Sequence, residues 1–211
     1  MKTTGIIMLG IGGQGTLTMM EMLAMAAEAA GEEVRVLSRV SLARLGGSGM
    51  CHVRLGPSAS PAIPAGEADI LIALEMNEIL RALPMAREGA LAFTSLYRRM
   101  PVVAGVTGLH YPTRAEVASA LQEARVTGIF VPEVLPEPNS KLDPWQQQED
   151  SRINILMLGV FAGYTHLLPR ALLEQAIEQR LPRFALQNAR TFAAGWNYGA
   201  SLEAQKKLDN L

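Results

Sequence analysis

Gly5-Ile-Ile-Met-Leu-Gly10-Ile-Gly-Gly-Gln-Gly15 runs from an apolar segment straight into glycines, and an apolar helix pattern follows at once. That order gives a G-x-G-x-x-G string its meaning. Gly10 permits a tight strand-to-helix turn, and Gly12 lets backbone N–H groups approach an anionic group with no Cβ in the way. Gly15 lets the helix pack close to the sheet, with its partial positive N-terminus pointing into the turn. Gly13 and Gln14 complete the loop. Two readings stay open: an anion-binding, Rossmann-like start, or a tight βα turn with no ligand.

Gly5–Leu9 reads as the first strand and Thr16–Ala30 as a helix that is apolar almost all round. Glu33–Ser38 reads as a second strand, and a strand–helix–strand order implies a parallel pair with a right-handed crossover. The next segment, Ser41–Leu55, begins as a glycine-rich loop around Gly46-Gly47-Ser48 and then alternates. Met50, His52 and Arg54 fall on one face and Cys51, Val53 and Leu55 on the other. Period two means a strand, here with one solvated face and an antiparallel sense. After the turn-rich Pro57–Pro64, Ala68–Leu74 is a continuous apolar run suited to a central strand. Glu75 stands at its carboxyl end, where open α/β sheets present functional groups.

Met76–Leu83 reads as a short helix, Gly89–Thr94 and Val102–Val106 as strands, Thr113–Arg125 as an amphipathic helix and Gly128–Val131 as a last strand. Pro112 and Glu116 are start signals for that helix. The fold class expected is α/β: a Rossmann-like three-layer sandwich, mostly parallel with one antiparallel strand, plus C-terminal helices. A single domain spans 1–211, divided into a sheet portion (1–131), a proline-rich surface excursion (132–150) and a helical portion (151–211). In the helical portion Ile153–Leu168 is nearly all apolar. Gly159 and Gly163 lie four apart, so one face admits another helix closely. That helix is expected to be buried against another helix or a second copy of the chain: the last two helices could cover it, but a homodimer or partner contact involving the C-terminal helices is favoured. Ala171–Arg180 follows, then a helix from Pro182 with a stripe at Phe184, Asn188, Phe192 and Trp196.

Composition narrows the function. Hydrophobic residues make up 49% and charged ones 18% of the 211, with a net charge of −1 and no basic block, which argues against nucleic acid. Ile153–Leu168 is shorter than the roughly 20 residues a bilayer asks for, so it reads as buried and no membrane partner is expected. No signal-peptide pattern stands at the start, and the cytoplasm is the expected compartment. The one cysteine, Cys51, cannot form an internal disulfide or supply the roughly four thiolates of an iron–sulfur cluster. His52, His110 and His166 share no ligand spacing, and no nucleophile elbow is present, so no catalytic or metal-ligating residue is assigned. Isolated charges such as Glu78 and Arg114 read as solvated faces.

Taken together, Gly10–Gly15, the Gly46-Gly47-Ser48 loop with His52-Val-Arg54, Pro61–Asp69 leading to Glu75, Asn154–Gly159 and Asn188–Gly195 resemble one family. It is the gamma-type subunit of 2-oxoacid:ferredoxin oxidoreductases, with the beta subunits of indolepyruvate:ferredoxin oxidoreductases as the nearest branch. Two departures are visible: Arg44-Leu45 stands where the family usually carries Gln-Arg, and 132–150 does not look like the family's helical approach to the asparagine.

The resemblance implies a non-cluster subunit of a complex that decarboxylates a 2-oxoacid, an aryl pyruvate or pyruvate, to an acyl-CoA and passes electrons to ferredoxin. No cofactor would be held by this chain alone; thiamine diphosphate and the iron–sulfur clusters would belong to the partner subunit, with CoA at the interface. Residues facing the partner or CoA would be Gly10, Gly12, Gly13, Gln14, Gly15, Arg44, Gly46, Gly47 and Ser48. Gln14 would offer an amide to a phosphate or to a partner's backbone, and Arg44 a charge. Two other readings remain: a stand-alone NADP-dependent reductase of ketopantoate-reductase type, with Arg39 on the 2′-phosphate, and a non-enzymatic scaffold derived from the subunit.

Overall fold

The computed structural model describes residues 3–40, 47–98, 110–133 and 152–209. The expected strand Val102–Val106 and nearly all of 132–150 lie outside the described residues. Six strands form one sheet: β1 (Thr4–Ile11), β2 (Val34–Val40), β3 (Ser48–Leu55), β4 (Ala68–Ala73), β5 (Ala86–Ser95) and β6 (Thr127–Val131). Six helices are described: α1 (Thr16–Ala29), α2 (Glu78–Ala82), α3 (Arg114–Glu123), α4 (Ile153–Thr165), α5 (Arg170–Arg180) and α6 (Ala185–Asp209). A short 3-10 turn, Leu83–Met85, follows α2.

The strand order is β2-β3-β1-β4-β5-β6. β1, β4, β5 and β6 pair in parallel, while β3 runs antiparallel to both β1 and β2. The alternation of residues 50–55 thus marked a strand of the expected sense. The β1–α1–β2 unit differs from expectation: its strands are parallel but not neighbours, because β3 inserts between them and α1 crosses over it. Periodicity specifies which face a residue takes, not which strand lies alongside.

The face of β3 carrying His52 also differs from expectation. His52 is 3% exposed. The turn-rich segment folds over it, and the Ile63 N–H donates to His52 Nδ1 at 3.1 Å. Arg54 donates to the Ala62 carbonyl at 3.0 Å and holds the same segment.

One sheet face, with Ile6, Met8, Val53, Ile72 and Phe93, packs under α1 and α4, on which α5 and α6 pack in turn; the other, with Ile7, Leu9, Leu71 and Ala92, packs under α2 and α3. Phe93 of β5 meets the rings of Phe161 and Tyr164 edge-on, at 5.8 and 5.4 Å between centroids, which docks α4 on the sheet.

In the helical layer α4 and α6 come together through glycine. A Cβ on Gly159 would lie 2.5 Å from the Phe192 carbonyl oxygen, and one on Gly195 2.5 Å from that of Leu156. Gly163 and Gly199 meet the backbones of Trp196 and Val160 in the same way. The face expected to call for a second helix is therefore covered by α6 of the same chain, and it does not require a homodimer. Helix α6 starts at Ala185, leaving Phe184 62% exposed at a φ of 65° instead of inside the stripe. Asn188 and Phe192 are buried as drawn. No described helix is long and apolar enough to cross a membrane.

Replacing Gly195 by Leu drives a side chain into the α4 backbone, and overpacking of this kind costs about 1–3 kcal/mol. The midpoint of urea unfolding should fall accordingly; an unchanged midpoint would mean that the helices do not cross here.

A pH effect follows from α3. Thr113 and Glu116 form a capping box: the Glu116 carboxylate accepts from the Thr113 N–H at 2.7 Å, and Thr113 Oγ1 accepts from the Glu116 N–H at 3.2 Å. The Thr113 backbone bond, with help from the Thr113 hydroxyl and His110, lowers the Glu116 pKa to about 2. A depressed pKa stabilises the fold above the ordinary value of 4.5 and loses that contribution as pH falls from there toward about 2. Acid titration of Glu116→Gln should show a flatter loss of stability across that window than the parent protein.

Candidate functional site

The glycine turn leaves the carboxyl end of β1 where the sheet's connections diverge: the chain after β1 goes toward β2, and the chain after β4 goes toward β5. Crevices at such a point are where open α/β sheets take ligands. Gly13 and Gly15 both have positive φ, 94° and 83°. A Cβ on Gly10 would collide with the Thr16 hydroxyl, and one on Gly15 would lie 2.5 Å from Asn154 Nδ2. Asn154, at the start of α4, donates to the Gly15 carbonyl at 3.4 Å, so the helical layer clamps the turn. Gly15 caps α1 without a side-chain bond, and the first turn of α1 carries no acid.

Gln14 bridges the crevice. Its Oε1 accepts from the Ile11 N–H at 2.7 Å, and its Nε2 donates to the Leu74 carbonyl at 3.2 Å, tying the end of β1 to the end of β4. The Gly12 N–H donates to the Gly47 carbonyl at 2.8 Å. The two glycine loops singled out from the sequence therefore form one edge, the β1–β3 ladder closing at Ile11 and Ser48. Arg44 and Gly46 lie outside the described residues.

Two acids sit beside this edge. Glu75 is 1% exposed; its Oε2 accepts from the N–H groups of Asn77 at 2.9 Å and Glu78 at 3.2 Å, and Tyr111 donates its hydroxyl to Oε1. The Arg98 guanidinium lies 4.6 Å over the Tyr111 ring. Glu78 is not the solvated charge expected: it is buried, accepts from the Ser48 hydroxyl and lies 3.5 Å from Arg81. Ser48 approaches it from thirty residues earlier, and Tyr111 reaches Glu75 from thirty-six later, so neither pairing has a local signal in the sequence.

The chemistry of this edge suits protein contact better than a dinucleotide's pyrophosphate. The Gly12 amide is already bonded, Gln14 fills the gap between β1 and β4, and two buried carboxylates sit beside the same edge. No three His, Cys, Asp or Glu side chains among the described residues could hold a metal ion. Cys51 is buried, and burial, with the Glu21 charge, pushes its thiol up to about 11. A thiol of that kind neither ligates a cluster nor acts as a nucleophile at neutral pH. Burial, with the Arg39 and Arg54 charges, lowers the His52 pKa; Nδ1 accepts from the Ile63 N–H, which places the proton of the neutral ring on Nε2, an atom with no partner among the described residues.

The model of the pyruvate ferredoxin/flavodoxin oxidoreductase family matches residues 5–198. The chain belongs to that family. A curated relative, the indolepyruvate oxidoreductase subunit IorB of Archaeoglobus fulgidus, is 29% identical over 201 residues, covering 93% of this chain and 95% of the relative. Among solved structures, the gamma subunit of keto/oxoacid ferredoxin oxidoreductase from Geobacter sulfurreducens shares the fold at a TM-score of 0.62 and 18% identity, covering 94% of this chain and 99% of that one. The 2-oxoglutarate:ferredoxin oxidoreductase of Magnetococcus marinus matches at 0.68 and 15% identity, over 95% of this chain but 32% of its own. In that protein the same unit is one part of a longer chain. The resemblance read from the glycine motifs holds, and with it the place of this chain as a subunit of a 2-oxoacid:ferredoxin oxidoreductase.

Gln14→Leu leaves the Ile11 N–H and the Leu74 carbonyl without partners in a half-buried crevice, a loss of about 1–3 kcal/mol. Urea denaturation checks it, and an unchanged midpoint would show that water replaces the amide at no cost.

Proposed function

We propose that the chain is the subunit of an indolepyruvate-type oxidoreductase that holds neither thiamine nor clusters and builds one wall of its active complex. The carrying observation is the Gly12–Gly47 hydrogen bond, which merges both glycine loops into one edge at the carboxyl ends of β1 and β4. In this reading the 2-oxoacid is an aryl pyruvate, as the name of the Archaeoglobus relative suggests. It is decarboxylated on thiamine diphosphate held by the partner, whose iron–sulfur clusters carry the electrons to ferredoxin. The acyl group leaves on CoA. The complex works in the cytoplasm.

This chain's part is positional. Gly12, Gly13 and Gly47 keep the edge free of side chains, so that a partner backbone or the CoA approaches it closely, while Gly10 and Gly15 let the turn pack against Thr16 and Asn154. Gln14 and Ser48 hold the edge rigid through Leu74 and Glu78. Arg44 supplies a positive charge toward the partner or a CoA phosphate. The chain has one cysteine and so cannot itself coordinate a four-thiolate cluster.

The purified chain should be colourless and inactive with aryl pyruvate, CoA and a viologen dye. Activity should appear on adding the thiamine- and cluster-bearing subunit, and Arg44→Ala should lower the rate or the CoA affinity of that complex. Turnover by the chain alone would contradict the reading, and unaltered kinetics of Arg44→Ala would remove the role given to that residue.

A further inference from the structure

Strand β2 forms one edge of the sheet, and among the described residues nothing pairs with its outer side. A seven-residue edge without proline presents a row of unpaired backbone donors and acceptors, which invites another strand. Its apolar content is not hidden: Val36 is 40% exposed.

The charges on this edge select what can pair with it. Arg35 and Arg39 are both exposed and, four residues apart, share one face, where they stand in register with Arg54 and Met50 of β3. Arg35 donates to the Ser58 carbonyl, which leaves further guanidinium donors, and Arg39 has no ion pair among the described residues. At about 3.3 Å per residue the two positions are roughly 13 Å apart along the strand. An extended peptide alongside the strand has the same repeat and can place a carboxylate opposite each. A second copy of the chain is disfavoured: antiparallel self-pairing that uses all seven residues centres on Leu37 and sets Arg35 against Arg39 twice, and like charges directly opposite destabilise a ladder.

We propose that β2 is a docking edge for a strand of the partner subunit, one that carries carboxylates four residues apart opposite Arg35 and Arg39. The added strand extends the sheet by backbone hydrogen bonding, and the two arginines set its register. This rests on the reading of the chain as a subunit of a multi-subunit oxidoreductase, and it assigns the element through which the chain is held.

The test uses the whole chain and the purified cluster-bearing subunit. Amide hydrogen exchange over 34–40 should slow on mixing. Arg35→Glu/Arg39→Glu and Arg39→Glu alone should weaken association about tenfold or more, with a salt dependence that the parent complex shows and the double variant loses. Arg35→Lys/Arg39→Lys should restore most of the affinity. If the wild-type subunits do not associate, the subunit reading itself fails. If they associate with equal affinity for the charge-reversed chain and with unslowed exchange in β2, the docking edge alone is overturned. A wild-type homodimer in sedimentation, with β2 protected, would replace the partner by a second copy and equally overturn the proposal.

Discussion

The crossing of α4 and α6 holds the structure in its particular shape. Four glycines, Gly159 and Gly163 on one helix and Gly195 and Gly199 on the other, bring two backbones together where any side chain would collide with a carbonyl. Backbones this close let α4 sit flat on the sheet, with Phe161 and Tyr164 edge-on to Phe93. The same placement brings Asn154 to the carbonyl of Gly15, which is why Gly15 must be glycine on steric as well as conformational grounds. A contact in the helical layer thereby fixes the turn at the functional edge.

From that turn the site is assembled by bonds that span the chain. Gln14 reaches Leu74, Gly12 reaches Gly47, Ser48 reaches Glu78 and Tyr111 reaches Glu75. Each joins segments distant in sequence at the edge where β1 and β4 end and β3 begins, so the edge is tied together as one rim. A rim whose Gly12 amide and two carboxylates are already partnered is suited to receive another protein surface, where shape and register matter more than free charge.

Much of this was legible in the residues. The apolar run into Gly10–Gly15 marked β1, the turn and α1 within one or two residues, and the period-two alternation of 50–55 marked an antiparallel strand. The Gly159–Gly163 spacing signalled a close helix approach, and its counterpart Gly195–Gly199 carries the same spacing, masked by the aromatic stripe on α6. What could not be read were the long-range choices. A β-α-β order does not say that a later strand will enter between its two, and the alternation around His52 does not say that a turn-rich segment will fold over a polar face. Glu78 looked solvated because an acid on a short helix usually is; only the arrival of Ser48 at the start of β3 makes it a buried member of the site. The family motifs were recognisable because glycines are required where backbones touch, and such places lie at the turn and the crossing.

The central claim is that the rim formed by the turn 12–15 and residues 47–48 faces the thiamine- and cluster-bearing subunit. An electron-microscopy structure of the assembled complex tests it directly. The account predicts that Gly12, Gly13 and Ser48 lie against that subunit or against CoA held between the two. A complex in which this rim is open to solvent, with the thiamine site reached only from elsewhere on the chain, would contradict it.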